Sequence, residues 1–181
     1  HYDHLGIGTP VKGDSIYNGV LDNAIGVAGV LEIARVLKKS PAKFNDSFLF
    51  LFTTGEEKGL LGSTYYVDNP KVPLYRTKAN INVDGLAFLD MFNDVIGIGV
   101  EMSTLDKILK KTAKSINLKV SAMPIQFSTT ESFARSDQIS FAKAGIPSIL
   151  IAEGLDYQNI SYEQALAKIV NWNEQIYHSP F

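Results

Sequence analysis

The sequence predicts an α/β fold, a three-layer sandwich in which helices flank a central β-sheet. Two observations carry that prediction. Short apolar runs of strand length recur along the chain, and between them lie segments whose apolar residues return every three to four positions. Strands alternating with helices are the pattern of a sheet covered on both faces. Length is a third: 181 residues without an internal repeat or low-complexity tract suit one domain over 1–181 with a sizeable core.

The elements follow in order. His1-Tyr2-Asp3-His4-Leu5-Gly6 reads as a strand end running into a loop that continues through Gly8, Pro10, Gly13 and Asp14 to Gly19. A helix opens in Leu21–Ala28 and runs to about Lys39, with Val27, Val30, Leu31, Ala34 and Leu37 at helical spacing. Lys38 and Lys39 stand at its C-terminal end, as the helix dipole favours, and Ser40-Pro41 ends it. Ser47 to Phe52 is a continuous apolar run and predicts a strand buried on both faces. Beyond the turn at Gly55, a helix spans Leu60 to Asp68. Ala79 to Gly85 alternates apolar and polar and predicts a strand ending at Asp84.

Val95–Val100 predicts a short strand, Ser103–Ile116 an amphipathic helix, and Val120–Ile125 an edge strand. A loop and short helix begin at Phe133 and close at Gly145-Ile146-Pro147. Ser148–Ala152 is a buried strand, and a last helix opens at Ser161 and runs to about Tyr177.

Composition narrows the function classes. A net charge of −2 makes no electrostatic case for nucleic acid or for an anionic membrane surface. No apolar run reaches the roughly 18 residues of a membrane-spanning helix. The chain has no cysteine, which excludes disulfides, thiolate–metal sites and a cysteine nucleophile. Neither a Gly-x-Ser-x-Gly elbow nor a phosphate-binding P-loop is present. Both ends fall beside residues of chemical interest, so the expectation is the core of a longer product, with any targeting segment outside it.

The rest is organised around Thr53-Thr54-Gly55-Glu56-Glu57-Lys58-Gly59, at the carboxyl end of the predicted strand 47–52. Ligands of open α/β sheets bind at that end. Neighbouring Glu56 and Glu57 point differently, so one can hold a metal and the other a proton. Taken singly, Asp22 reads as a helix cap, Asp84 as a turn residue and His178 as a surface residue near a terminus. Together, His1, Asp22, Glu57, Asp84 and His178 form a cysteine-free set of imidazoles and carboxylates at strand ends and loop starts, the donor chemistry of a catalytic zinc site. Two zinc ions would be balanced by three carboxylates and one hydroxide. Asp3 could orient the His1 ring, leaving Glu56 as general base.

The chain resembles the co-catalytic di-zinc exopeptidases, the family of bacterial leucyl aminopeptidase, glutamate carboxypeptidase II and glutaminyl cyclase. Six motifs carry the likeness in order. They are His-x-Asp at 1–3, Asp-Asn-Ala-x-Gly-Val-Ala at 22–28, Gly-Glu-Glu-x-Gly-Leu-x-Gly-Ser at 55–63, Asp-Gly at 84–85, Ser-Asp-x-x-x-Phe-x-x-x-Gly-Ile-Pro at 136–147 and Tyr-His-x-Pro at 177–180.

The resemblance implies a mixed central sheet of the zinc exopeptidase, phosphorylase/hydrolase-like kind, and two Zn2+ ions bridged by Asp22. His1 and Asp84 would complete one metal site and Glu57 and His178 the other, with Glu56 as base and Asp3 behind the ligands. It further implies a cis peptide at Asp22-Asn23, a supporting role for Asp137, and a secreted or periplasmic location. Two departures stand out: Gln138 where the family usually has His, and Phe133 where some aminopeptidases place a Tyr hydroxyl.

The implied reaction is hydrolysis of the N-terminal bond of a peptide or aminoacyl substrate. Carboxypeptidase action and a one-zinc, glutaminyl-cyclase-like acyl transfer stay open, as does a binding-only relative, against which stands the retention of all five ligands. Phe88, Met91, Phe92, Phe127 and Phe133 are candidates for an apolar substrate pocket. Oligomeric state is not legible.

Overall fold

A computed structural model describes residues 1–85, 89–127 and 129–181. Its elements are β1 (Gly6–Val11), β2 (Asp14–Tyr17), α1 (Ile25–Lys39), α2 (Leu61–Asp68), β3 (Asn80–Val83), β4 (Asp94–Ile98), α3 (Leu105–Ser115), β5 (Lys119–Val120), α4 (Thr129–Ala134), α5 (Gln138–Lys143), β6 (Ser148–Glu153) and α6 (Tyr162–Gln175). The central sheet runs β3-β6-β4-β5. β3 pairs parallel with β6, β6 antiparallel with β4, and β4 parallel with β5, so the sheet is mixed.

Both faces are covered because successive side chains of a strand point to opposite sides. Ile96, Ile98 and Leu150 form a buried cluster with Phe133 of α4 on one face. Between the two isoleucines, Gly97 faces the other way, where Leu109 of α3 and Ile149 of β6 crowd the space a side chain would need. Tyr66 of α2, Phe141 of α5 and Ile146 form a second cluster, and Leu155, Tyr157 and Ala165 of α6 a third. Ser161 starts α6 with a reciprocal cap: its side chain accepts from the Gln164 N–H while the Gln164 side chain accepts from the Ser161 N–H. Among the described residues no helix is long and apolar enough to cross a membrane.

Three expectations need correction. The run 47–52 joins no ladder among the described residues, and Phe48 and Leu49 are 52% and 57% exposed. Among the described residues no strand pairs with the run at either edge, so it is not held inside the sheet where the helical layers would cover its faces. Residues 6–17, read as a loop from their glycines and proline, form the exposed antiparallel hairpin β1–β2. Its connection is Lys12-Gly13, both at positive φ, the two-residue turn whose twist suits a hairpin. The edge strand expected over 120–125 shrinks to Lys119–Val120.

Candidate functional site

Asp22 lies in an irregular turn, Val20–Ala24, that precedes α1, and the Asp22-Asn23 peptide is cis. Asn23, not Asp22, supports the helix start. Its Oδ1 accepts from the N–H groups of Gly26 (3.1 Å) and Gly85 (3.2 Å), and its Nδ2 donates to the carbonyl of Val83 (3.0 Å). One buried amide thus ties the start of α1 to the end of β3, bringing Asp22 beside Asp84. Gly26 is needed for that approach, since a Cβ there would lie 2.1 Å from the Asn23 Oδ1 and 2.6 Å from the Val83 carbonyl oxygen.

The Glu56–Lys58 turn is a single 3-10 turn entered through Gly55. The Asp3 carboxylate accepts from the Gly55 N–H at 3.0 Å and from the Thr54 hydroxyl. It therefore clamps the turn that presents the two glutamates. The His1 ring is oriented by a different part of Asp3, whose main-chain carbonyl oxygen lies 2.8 Å from Nδ1. Asp137 is buried and accepts from the Thr53 hydroxyl at 2.5 Å, three residues upstream of the same turn.

The five candidate ligands converge. His1 Nε2 lies 3.1 Å from Asp22 Oδ1 and 3.5 Å from Asp84 Oδ1, while His178 Nε2 lies 3.3 Å from Asp22 Oδ2 and 3.0 Å from Glu57 Oε2. Asp22 therefore offers one oxygen to each half of the site. Ser136 donates to Asp84 Oδ2 at 2.6 Å and accepts from Asn82, which leaves Asp84 Oδ1 for the cluster. His178 follows α6 in a left-handed conformation (φ 55), and the Tyr177 ring stacks on its imidazole at 3.8 Å. Glu56 Oε2 sits 3.8 Å from His1 Nε2, in the wall of the same cavity.

The electrostatics suit a bound cation. His1 Nε2, Asp22 Oδ2, Glu57 Oε1 and His178 Nε2 are buried with no hydrogen-bond partner despite their short separations. Atoms that close, aimed past one another, share a third point. Donor atoms on one zinc ion can be no farther apart than two bond lengths, about 4.2 Å. The contacts of His1 with Asp22 and Asp84 (3.1 and 3.5 Å) and of His178 with Asp22 and Glu57 (3.3 and 3.0 Å) satisfy that bound, so each imidazole can share a divalent cation with the carboxylates beside it.

Without cations, protons take their place. Burial opposes the charged form of His1, but contacts with Asp22 and Asp84 outweigh it and push the imidazole up to about 11. Burial and repulsion from Asp84 push Glu56 up to about 8. Burial and the Asp22 charge likewise raise Glu57, whereas Asp22, despite its burial, is held low by His1. Burial lowers His178, favouring the neutral, metal-binding form.

A cleft of about 530 Å³ runs from this cluster into an apolar chamber lined by Ile96, Ile98, Phe127, Leu155, Ile169 and Trp172. Of the residues predicted for an apolar pocket, Phe127 lines the chamber, Phe133 is core, Phe92 packs on the α6 cluster, and Met91 is exposed. Phe88 lies outside the described residues. Gln138 is fully buried; its Oε1 accepts from Asn82 and its Nε2 donates to the Phe133 carbonyl oxygen, so it links α4 to the strand that carries Asp84. His4, given no role by its sequence position, also faces the cluster, with Nδ1 2.7 Å from Glu57 Oε1. Its signal was a second imidazole three residues after the first.

Comparison with known proteins places the chain in a family. Peptidase family M28 matches over residues 1–181. Aminopeptidase YwaD of Bacillus subtilis (strain 168) is 42% identical over 67 residues, 36% of this chain and 14% of that protein. The aminopeptidase from Aneurinibacillus sp. strain AM-1 superposes with a TM-score of 0.59 at 26% identity, covering 85% of this chain and 38% of that one. The zinc aminopeptidase BSAP from Bacillus subtilis shares the fold at a TM-score of 0.58 and 24% identity, covering 84% and 40%. The chain thus spans a minor part of these proteins' lengths, two fifths at most. From its first residue to its last, it belongs to peptidase family M28.

Proposed function

We propose that the protein is a metal-dependent aminopeptidase that hydrolyses the N-terminal bond of peptide or aminoacyl substrates with two zinc ions. The observation that carries this reading is the pair of donor sets sharing Asp22: His1, Asp22 and Asp84 on one side, Asp22, Glu57 and His178 on the other. Family membership supports the peptidase class. The relatives named above are called aminopeptidases, and one a zinc aminopeptidase.

When bound, the cations supply Lewis acidity, activating a water and polarising the scissile carbonyl. The chain's own residues do the rest. Glu56 stands at the edge of the cluster in the cleft wall, where it can take the proton of the attacking water. Having taken that proton, the Glu56 carboxyl is placed to return it to the departing amine. The apolar chamber accepts the side chain of the residue being released, and its lining favours an aliphatic or aromatic one.

Glu56→Gln tests the assignment of the base. The variant keeps the shape and every ligand, so it should hold the same metal content while kcat falls by at least about 100-fold. Near-normal turnover with full metal loading would remove Glu56 from that role.

A further inference from the structure

The chain has three histidines, and all three gather at one place. Two are accounted for as candidate ligands. The third, His4, has a side chain 91% buried, being 9% exposed, although it sits only two residues before the exposed hairpin begins at Gly6. Its Nδ1 is 2.7 Å from Glu57 Oε1 and 3.9 Å from Asp22 Oδ2, and its ring meets that of His178 edge-on at 5.7 Å. These atoms face the Asp22–Glu57–His178 half of the site, and none faces the His1–Asp84 half.

The contact with Glu57 has the length of a hydrogen bond but not the direction of one. Both His4 Nδ1 and Glu57 Oε1 remain buried without a hydrogen-bond partner, as does Asp22 Oδ2. His4, Asp22 and Glu57 each offer a donor atom within 4.8 Å of the others. The measured separations, 2.7 and 3.9 Å, are within the limit of about 4.2 Å for two donors on one zinc ion. The fold also makes room for this ring. Gly19 adopts a left-handed conformation (φ 63) against it, and a Cβ there would stand 2.5 Å from the His4 Cβ and 2.7 Å from its Cγ. An imidazole with an unpartnered buried nitrogen, seated in a glycine-lined recess and aimed between two carboxylates, has the placement of a ligand.

The geometry points to His4 as a fourth protein ligand, through Nδ1, of the cation held by Asp22, Glu57 and His178. The two halves of the site are then unequal. The His1–Asp22–Asp84 half has three protein donors and keeps an open position, whereas the other has four and holds its cation more tightly. This inference rests on the two-cation reading above, and the experiment separates the two.

Zinc titration by calorimetry, with long-range 1H–15N NMR of the imidazoles, reads both. The wild-type protein should take up two equivalents, and on loading, the Nδ1 resonance of His4 should move to the position of a metal-bound nitrogen. In His4→Phe, which keeps a ring in the recess, the tighter equivalent should weaken by on the order of tenfold or more, while the weaker one stays within about twofold. A His4 Nδ1 resonance that does not reach the metal-bound position in the fully loaded wild type overturns the ligand assignment and leaves the two-cation reading intact. Unchanged affinity for both equivalents in His4→Phe overturns it as well. A wild type that binds fewer than two equivalents defeats the underlying reading instead.

Discussion

Protons and cations compete for the same atoms at this site. With no cation, His1 is pushed up to about 11 and Glu56 to about 8, so near pH 7 the imidazole is charged and the Glu56 carboxyl neutral. The sign follows directly: a cation can bind His1 only by displacing its proton, so apparent affinity rises with pH and binding releases protons. Zinc calorimetry at pH 6 and pH 8, repeated in buffers of different ionisation heat, should show tighter binding at pH 8 and net proton release. Affinity independent of pH would contradict the placement of His1 in the cation site. The five expected ligands were legible only as a set and through the family resemblance, because a lone Asp22, Asp84 or His178 reads as a cap, a turn or a surface residue. His4 was not, since a second imidazole three residues after the first does not by itself separate a buried ring from a loop histidine; Gly19, fifteen residues on, leaves room for the ring.

At the scale of elements, the site depends on joints that sequence periodicity does not report. Helix α1 was legible from its apolar spacing, yet its start is fixed by Asn23 reaching across to β3. Asn23→Ala strips partners from the Gly26 and Gly85 N–H groups and the Val83 carbonyl. At about 1–3 kcal/mol for each buried group left unsatisfied, a loss of roughly 2–4 kcal/mol is expected, allowing water to reach some of them. Denaturant unfolding measures it, and Asp22 should lose zinc affinity in parallel as the turn loosens. A variant within 0.5 kcal/mol (about the effect of a surface substitution) would show that the amide is not the joint.

Asp3 shows the same limit of legibility. Its proximity to His1 was readable, but the division of labour was not: carbonyl oxygen to the imidazole, carboxylate to the Glu56 turn. The run 47–52 has strand composition and still joins no ladder, because pairing is decided by neighbours rather than by the segment itself.

For the whole molecule, the alternation of strand and helix patterns was enough to predict a covered sheet, and the mixed order β3-β6-β4-β5 bears out the arrangement implied by the resemblance. Periodicity alone could not supply that order, since strand direction leaves no mark on apolar spacing. The accessible surface is 11424 Å², against about 8,700 Å² expected for a compact monomer of 19.9 kDa. Part of the excess is apolar: Phe44, Phe48, Leu49 and Ile81 are all about half exposed or more. The site, by contrast, is buried and convergent, with elements from nearly the full length of the chain meeting at Asp22.

The most direct test of the central claim is zinc content per chain, measured alongside release of free amino acid from a series of aminoacyl anilides with and without chelator. The account predicts two zinc ions per chain and release that stops when they are stripped and returns when zinc is restored, fastest for apolar N-terminal residues. Turnover unaffected by removal of the metal, or a metal-loaded protein that releases no N-terminal residue, would contradict it.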